Sequence, residues 1–172
     1  MALRLLVCLS FFYFSSVSHA DSSSLQISVG DSLAIAVYNE ADLSLKVRVD
    51  NSGVVNFPLI GQVPVLNLTP KQLAKTLEER YDDGYLVTPS ITVSIERYRP
   101  FYIHGEVKAP GVYEFDQKLT VEQAIAIAGG LSERASSSKW FIARPSEKIP
   151  LPVNKESPVL PGDIITINSS FF

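Results

Sequence analysis

The chain has 172 residues, and 46% of them are hydrophobic, which is enough apolar material for one or two small domains. Its formal net charge is −3, and this mildly acidic balance argues against a nucleic-acid partner. The one cysteine, Cys8, lies near the N-terminus, so a chain without its first twenty residues has neither a disulfide nor a thiol nucleophile.

Residues 1–20 have the three parts of a secretory signal peptide. A single arginine precedes an apolar run at 5–14, and a Ser-His-Ala ending places small residues at the cleavage site. The apolar run is too short to cross a bilayer, which takes about 20 residues. We therefore expect cleavage between Ala20 and Asp21, and export. Cys8 follows a valine and only seven residues precede it, so lipidation is not expected.

Residues 21–98 are predicted to form a first domain of short strands and one helix, which is an α+β arrangement. A polar cluster at 50–53 is typical of a turn, so the strands at 45–49 and 54–57 are predicted to form a hairpin. Apolar residues alternate with polar ones, the pattern of half-buried strands, in four stretches: 25–29, 33–37, 45–49 and 91–95.

The stretch 54–81 predicts a strand, a turn, a second strand and then a helix. Gly61 can take the positive φ that the turn needs. Thr69 and Gln72 have the spacing of a capping box at the start of the helix, and Pro70 fits the first helical position. One face of this helix is apolar because large residues recur every four positions: Leu73, Leu77 and Tyr81.

Residues 99–172 are predicted to form a second domain, in which one helix crosses a small mixed sheet. This combination is a β-grasp-like arrangement. The helix is predicted over 121–128, with a second capping box from Thr120 and Gln123. The segment 145–161 holds five prolines and is predicted to be mostly loop. The predicted strands are 101–103, 112–115, 140–142 and 164–167, with a Pro-Gly turn between the first two.

Two short sequence echoes connect the predicted domains. Residues 68–74 are echoed at 119–125, and residues 30–35 are echoed at 162–167. The echoes suggest that similar small strand-helix units are used twice, although two short matches do not prove a duplication.

Several motifs resemble the polysaccharide export domain of the bacterial outer-membrane polysaccharide exporters, the Wza-like family. They are VGDSL at 29–33, VDNSG at 49–53, FPLIG at 57–61, LT at 68–69 and TPSI at 88–91. Residues 101–131 resemble the soluble-ligand-binding β-grasp (SLBB) domain that follows it in that family. The motifs of this second resemblance are GEV at 105–107, PG at 110–111 and AGGL at 128–131.

The resemblance implies a ring-forming periplasmic protein, associated with the outer membrane, that conducts capsular or exopolysaccharide outward. The partners implied are the polysaccharide, further copies of the same chain, an inner-membrane polysaccharide co-polymerase and a separate outer-membrane β-barrel. The longest family members carry more β-grasp repeats and a C-terminal amphipathic helix that lines a pore. This sequence has one β-grasp unit and stops soon after Ile167, so we expect no pore made by this chain alone.

No catalytic, cofactor-binding or metal-binding residue is predicted, no cofactor is expected, and the protein is expected not to be an enzyme. His104 has no nucleophile motif around it and is interpreted as a structural or surface histidine. The acid pairs at 78–79 and 82–83 are interpreted as a solvated helix face rather than paired catalytic acids. The aromatic pair at 171–172 is interpreted as a coincidental likeness to barrel strand ends.

Five tyrosines are candidates for stacking on sugar rings: Tyr81, Tyr85, Tyr98, Tyr102 and Tyr113. Packing in the core and along strands is the favoured interpretation for them. Two other functions stay open beside the transport hypothesis. One is a monomeric periplasmic glycan-binding β-grasp module, which the native mass would distinguish from a ring. The other is an enzyme acting on glycans, which an activity assay would reveal.

Overall fold

The computed structural model describes residues 25–145 and 147–170. Within them ten strands form three sheets and two α-helices accompany these sheets, which confirms the predicted α+β class. The predicted signal peptide and the pair Phe171-Phe172 lie outside the described residues. The strands are β1 (Ser32–Val37), β2 (Leu45–Arg48), β3 (Val54–Phe57), β4 (Gly61–Pro64), β5 (Ile91–Arg97), β6 (Phe101–Gly105), β7 (Gly111–Tyr113), β8 (Ala135–Ala143), β9 (Leu151–Val153) and β10 (Ile164–Ser169); the helices are α1 (Pro70–Asp82) and α2 (Val121–Ile127).

A first hydrophobic core lies between the antiparallel sheet β2-β1-β5, the hairpin β3-β4 and helix α1. The predicted capping box is present: the Thr69 amide donates to Gln72 Oε1 at 2.8 Å, and the Gln72 amide donates to Thr69 Oγ1 at 3.2 Å. The apolar face of α1 is buried as predicted. Leu73, Leu77 and Tyr81 are all fully buried in this core.

The predicted hairpin between 45–49 and 54–57 is wrong. Strand β2 pairs with β1, and β3 pairs with β4. The turn at 50–53 does form, and its Gly53 amide donates to the Asp50 carbonyl at 3.1 Å. Strand β3 nevertheless pairs with β4, because the short connection between these two strands turns at Leu59 and Gly61, both with positive φ, and folds β4 back onto β3. The chain thus leaves one sheet at 50–53 and enters the next.

The alternating stretch 25–29 is not a strand either. Ile27 is fully buried, but its backbone bonds to the loop before α1: its amide donates to the Leu68 carbonyl, and its carbonyl accepts from the Asn67 amide. The alternation therefore reflects burial beneath this loop rather than membership of a sheet.

A second core lies between α2 and a five-stranded mixed sheet in the order β7-β6-β10-β8-β9. The central pair β6-β10 is parallel and the other pairs are antiparallel, which gives the β-grasp arrangement expected from the sequence. Strand β9 lies inside the segment 145–161, where only loop was predicted. Neither helix of the described segments is long and apolar enough to cross a membrane.

Candidate functional site: the cleft between the two cores

Two adjoining grooves lie between the first and the second core. The first encloses about 430 Å³ and the second about 630 Å³. They have four lining residues in common, so they form one continuous space around Arg99, which we call the inter-core cleft. The residues that line it include Ser28, Gly30, Arg48, Asn67, Arg99, Tyr102, Arg144, Pro145, Gly162 and Asp163.

Arg99 is bound to a buried aspartate of the first core. Asp31 is fully buried, and its carboxylate accepts from the Arg99 amide at 2.7 Å and from Arg99 Nη1 at 3.2 Å. It also accepts from the Ser28 amide at 2.8 Å. A buried carboxylate needs such compensation because it has lost its water. The residue that begins the second part of the chain is thereby fixed to the first core.

The second core holds a similar pair at the same cleft. Asp163 is almost fully buried and accepts from Arg144 Nε at 3.0 Å and from the Leu160 amide at 2.8 Å. Burial raises the pKa of the Asp163 carboxyl, and the Leu160 amide and the Arg144 guanidinium offset only part of that rise. Arg144 also donates through Nη2 to the Pro158 carbonyl at 2.9 Å, which orients its planar group.

Two glycines leave room for the Arg99 side chain. Gly30 and Gly162 have φ of +93° and +85°, which a side chain would strain. A Cβ at Gly162 would lie 2.9 Å from Arg99 Nε, and a Cβ at Gly30 would lie 3.2 Å from Arg99 Cβ. Arg99 therefore passes between two turns that have no side chains to obstruct it.

The open side of the cleft carries three exposed polar or aromatic side chains. Arg48 donates through Nε to the Gly30 carbonyl at 3.2 Å, and it has no ion pair with a carboxylate in residues 25–145 and 147–170. Asn67 is exposed on the loop before α1, and Tyr102 is 42% exposed on β6. Chemically, this arrangement offers a cation, an amide and an aromatic face, which suit an anionic ligand that also carries hydroxyl groups.

The residues considered from the sequence lie elsewhere. His104 is exposed on β6, and its Nε2 lies 3.1 Å from Thr166 Oγ1. Glu78 accepts from the Ile91 amide at 2.9 Å, which joins α1 to β5, so it is structural rather than merely solvated. Glu79 lies 3.8 Å from Lys75 on the exposed surface of the same helix. No hydrogen bond or ion pair between described residues joins His104, Glu78 and Glu79 to one another.

The packing interpretation holds for three of the five tyrosines, and two are exposed, namely Tyr85 and Tyr102. Burial raises the pKa of the Tyr81 hydroxyl, which donates to the Pro58 carbonyl at 2.9 Å. The packed three are Tyr81 in the first core, Tyr98 edge-to-face against Phe115, and Tyr113 stacked on Phe101.

Sequence reasoning missed the cleft. The recurrence of Gly-Asp at 30–31 and 162–163 was a usable signal for the two turns, but nothing in the sequence pattern connected Arg99 or Arg144 to them. The part of the chain that the structure describes has no cluster of three or more His, Cys, Asp or Glu side chains able to hold a metal ion.

Comparison with known families identifies the class of each of the two domains. Residues 19–96 match the polysaccharide biosynthesis/export protein family, and residues 100–151 match the SLBB domain. The chain therefore carries a polysaccharide biosynthesis/export domain followed by one SLBB domain, as the sequence motifs indicated.

The chain is also similar to one individual protein. The exopolysaccharide production protein ExoF of Rhizobium meliloti (strain 1021) is 32% identical over 108 residues. The aligned region covers 62% of this chain and 25% of ExoF. The chain thus spans about a quarter of the length of this relative.

Proposed function

We propose that the protein is a subunit of a conduit that exports capsular or exopolysaccharide across the envelope, located in the periplasm and associated with the outer membrane. The observation that carries the proposal is the succession of an export domain and an SLBB domain in one chain. The name of ExoF, an exopolysaccharide production protein, supports the same class of polymer. Each core is too small to enclose a channel, so a conduit needs several copies, and head-to-tail contacts that close form a ring.

We propose domain limits of 21–98 and 99–172, after a cleaved signal peptide at 1–20. Their support is that the buried residues of the first core run from Ile27 to Ile91 and those of the second from Phe101 to Ile167. In the conduit, an inner-membrane polysaccharide co-polymerase would deliver the polymer, and a separate outer-membrane β-barrel would receive it.

The test is export in a strain that lacks the protein. Secreted and cell-retained polysaccharide are measured with and without a plasmid that restores the chain, and native envelopes are cross-linked in parallel. We expect retained polymer in the deletion strain, recovery with the plasmid, and cross-linked species beyond the dimer. Unchanged secretion in the deletion strain, or a protein that stays monomeric in envelopes that export normally, would contradict the proposal.

We also infer that the chain performs no chemical step. His104 bonds only to a threonine hydroxyl within the described residues, so His104→Ala should leave folding and export largely intact. Circular dichroism and the same secretion assay measure this. A folded His104→Ala protein that has lost turnover of a glycan substrate would show that the protein is an enzyme.

The inter-core cleft favours one alternative, a monomeric periplasmic glycan-binding module, because the cleft is formed within a single chain. Light scattering of the purified protein, alone and with solubilised envelope partners, separates the two functions. A monomer under both conditions favours the binding module, and a closed oligomer favours the conduit.

A further inference from the structure

The arginines of the inter-core cleft differ in what they bind. Arg99 and Arg144 form ion pairs with Asp31 and Asp163, the two buried carboxylates. Arg48 has no such partner in the described segments, and its hydrogen bond leaves from Nε. Arg48 is an exposed residue, and neither of its terminal nitrogens donates a hydrogen bond within the described segments, so the edge that they form is available to a ligand. That edge matches the two oxygens of a carboxylate, a pairing that guanidinium groups favour.

The charge around the cleft adds to this effect. Three arginines against two buried aspartates leave one positive charge there, in a chain whose net charge is −3. An exposed carboxylate beyond the cleft, that of Asp50, lines a shallow surface with Arg48. Asp50 is turned into its own loop, because it accepts from the Ser52 amide at 2.9 Å and from the Ser52 hydroxyl.

Tyr102 and Asn67 provide the other contacts that a sugar requires. Tyr102 is 42% exposed as a residue, and its sheet neighbours Val112 and Ile164 are exposed and apolar. Aromatic faces of this kind stack on the apolar face of a pyranose ring. The Asn67 side-chain amide has no hydrogen bond within residues 25–145 and 147–170, so its donors and acceptor are available to hydroxyl groups.

The shape of the cleft suits a chain-like ligand. Its two grooves measure about 430 and 630 Å³, each within the range of about 300–1,000 Å³ typical of ligand sites. Because Ser28, Asn67, Arg99 and Pro145 line both grooves, a ligand can continue from one into the other.

We propose that the inter-core cleft binds an acidic sugar unit of a glycan chain. The sugar carboxylate pairs with the terminal edge of Arg48, the ring stacks on Tyr102, and a hydroxyl bonds to Asn67. The assignment rests on the proposed export function, which it makes specific to polysaccharides that carry carboxylates.

Binding of two tetrasaccharide probes to the purified chain tests the assignment. Calorimetry or NMR titration compares tetragalacturonate with the neutral maltotetraose. We expect tetragalacturonate to bind at least tenfold more tightly, and its affinity to fall as salt is raised, since the pairing with Arg48 is screened. Equal affinity for both probes, or no binding of tetragalacturonate, overturns the assignment.

Three variants locate the binding. Arg48→Gln should weaken tetragalacturonate binding roughly tenfold, the scale of one lost charge-assisted pair at a half-open site. Arg80→Gln is the matched control. Arg80 lies on helix α1 and is not among the residues that line the cleft; it is also exposed, and it donates only to a backbone carbonyl, that of Gln62 at 3.3 Å. Tyr102→Ala removes the stacking ring from an exposed position and should also weaken tetragalacturonate binding. An Arg48→Gln protein as tight as Arg80→Gln refutes the site.

The secretion assay separates this inference from the export function. Normal export by a chain that binds no tetragalacturonate overturns the site and leaves the conduit standing. Tight tetragalacturonate binding by a chain whose deletion does not affect export overturns the conduit and leaves the site standing.

Discussion

Replacing Asp31 with alanine should separate the contribution of the inter-core cleft from that of the two cores. The Asp31 carboxylate is fully buried and accepts from two backbone amides, those of Ser28 and Arg99, and from the Arg99 guanidinium. In Asp31→Ala both amides lose the fully buried oxygen atoms that accept from them. The guanidinium of Arg99 loses less, because a quarter of its side chain is exposed and can be hydrated.

The magnitude follows from these three donors. A buried donor left unpaired costs about 1–3 kcal/mol, and removing one partner of a buried ion pair costs about 3–5 kcal/mol in total. We therefore expect Asp31→Ala to lower the free energy of unfolding by about 3–5 kcal/mol. Folded domains have a total stability of only about 5–15 kcal/mol, so this variant lies close to the limit of folding.

Urea denaturation followed by circular dichroism and by fluorescence measures the loss. The one tryptophan, Trp140, is buried in the second core, so its fluorescence reports on that core alone. We expect the dichroism transition to move to lower urea by more than the fluorescence transition. Asp31→Asn should be intermediate, because its amide oxygen still accepts one hydrogen bond.

Glu96→Ala is the control for loss of a charge. Glu96 pairs with Lys46 at 2.5 Å on the exposed surface of the first sheet, and such exposed pairs contribute about 0.2–1 kcal/mol. If Asp31→Ala costs no more than Glu96→Ala, the buried carboxylate does not hold the second part of the chain to the first core.

Two further predictions concern local geometry. Gly105→Ala should prevent the second core from folding, because its Cβ would lie 2.1 Å from the Ile167 carbonyl oxygen. Gly84→Ala meets open space, so it should cost only about 1–2 kcal/mol of stability, from its positive φ. Urea unfolding of both variants measures the two losses. Ser52→Ala should raise the Asp50 carboxyl pKa towards its ordinary value in an NMR titration, because hydrogen bonds from Ser52 hold that pKa low. A carboxyl whose pKa is depressed by folding stabilises the fold at pH values above its unfolded-state pKa. Ser52→Ala should therefore be less stable than the wild type near neutral pH, and this difference should vanish in acid. An unchanged Asp50 pKa would contradict the reasoning.

The helices were predictable because their signals are local. Both capping boxes are formed by residues three positions apart, and both are present in the structure. The helix predicted over 70–81 ends one residue later, and the one predicted over 121–128 ends one residue earlier. A terminal residue more or less is within the fraying of any helix end.

The strands were less predictable because their partners are distant in sequence. Alternation identifies a half-buried segment, but it does not say which strand lies beside it, and the pairing of β3 was therefore wrong. Strand β9 was missed because it contains Pro152, which sequence reasoning treats as a strand breaker. The strand lies at the edge of its sheet, where a proline is tolerated because no neighbour needs its missing amide hydrogen.

The sequence echo of Gly-Asp at 30–31 and 162–163 has a physical explanation that needs no duplication. In each copy the aspartate accepts from the amide three residues before it, at 2.8 Å, and its own amide donates to the carbonyl of that same residue. In each copy the glycine has positive φ and a strand follows directly. A buried aspartate that closes its own turn in this way is already held in place, and it then needs only a cation to compensate its charge.

Different arginines fill that need, and this decides what remains for a ligand. Asp31 takes Arg99 and Asp163 takes Arg144, so two of the three cleft arginines are neutralised by the turns that build the cleft. Arg48 lies beside the first of these turns and is held only by the Gly30 carbonyl. Because its charge is not paired with a carboxylate within the described residues, Arg48 is the cleft arginine that stays available to a ligand. The turn at Asp31 fixes Arg99 to the first core, the turn at Asp163 binds Arg144 within the second core, and the positive charge of Arg48 is left at the cleft.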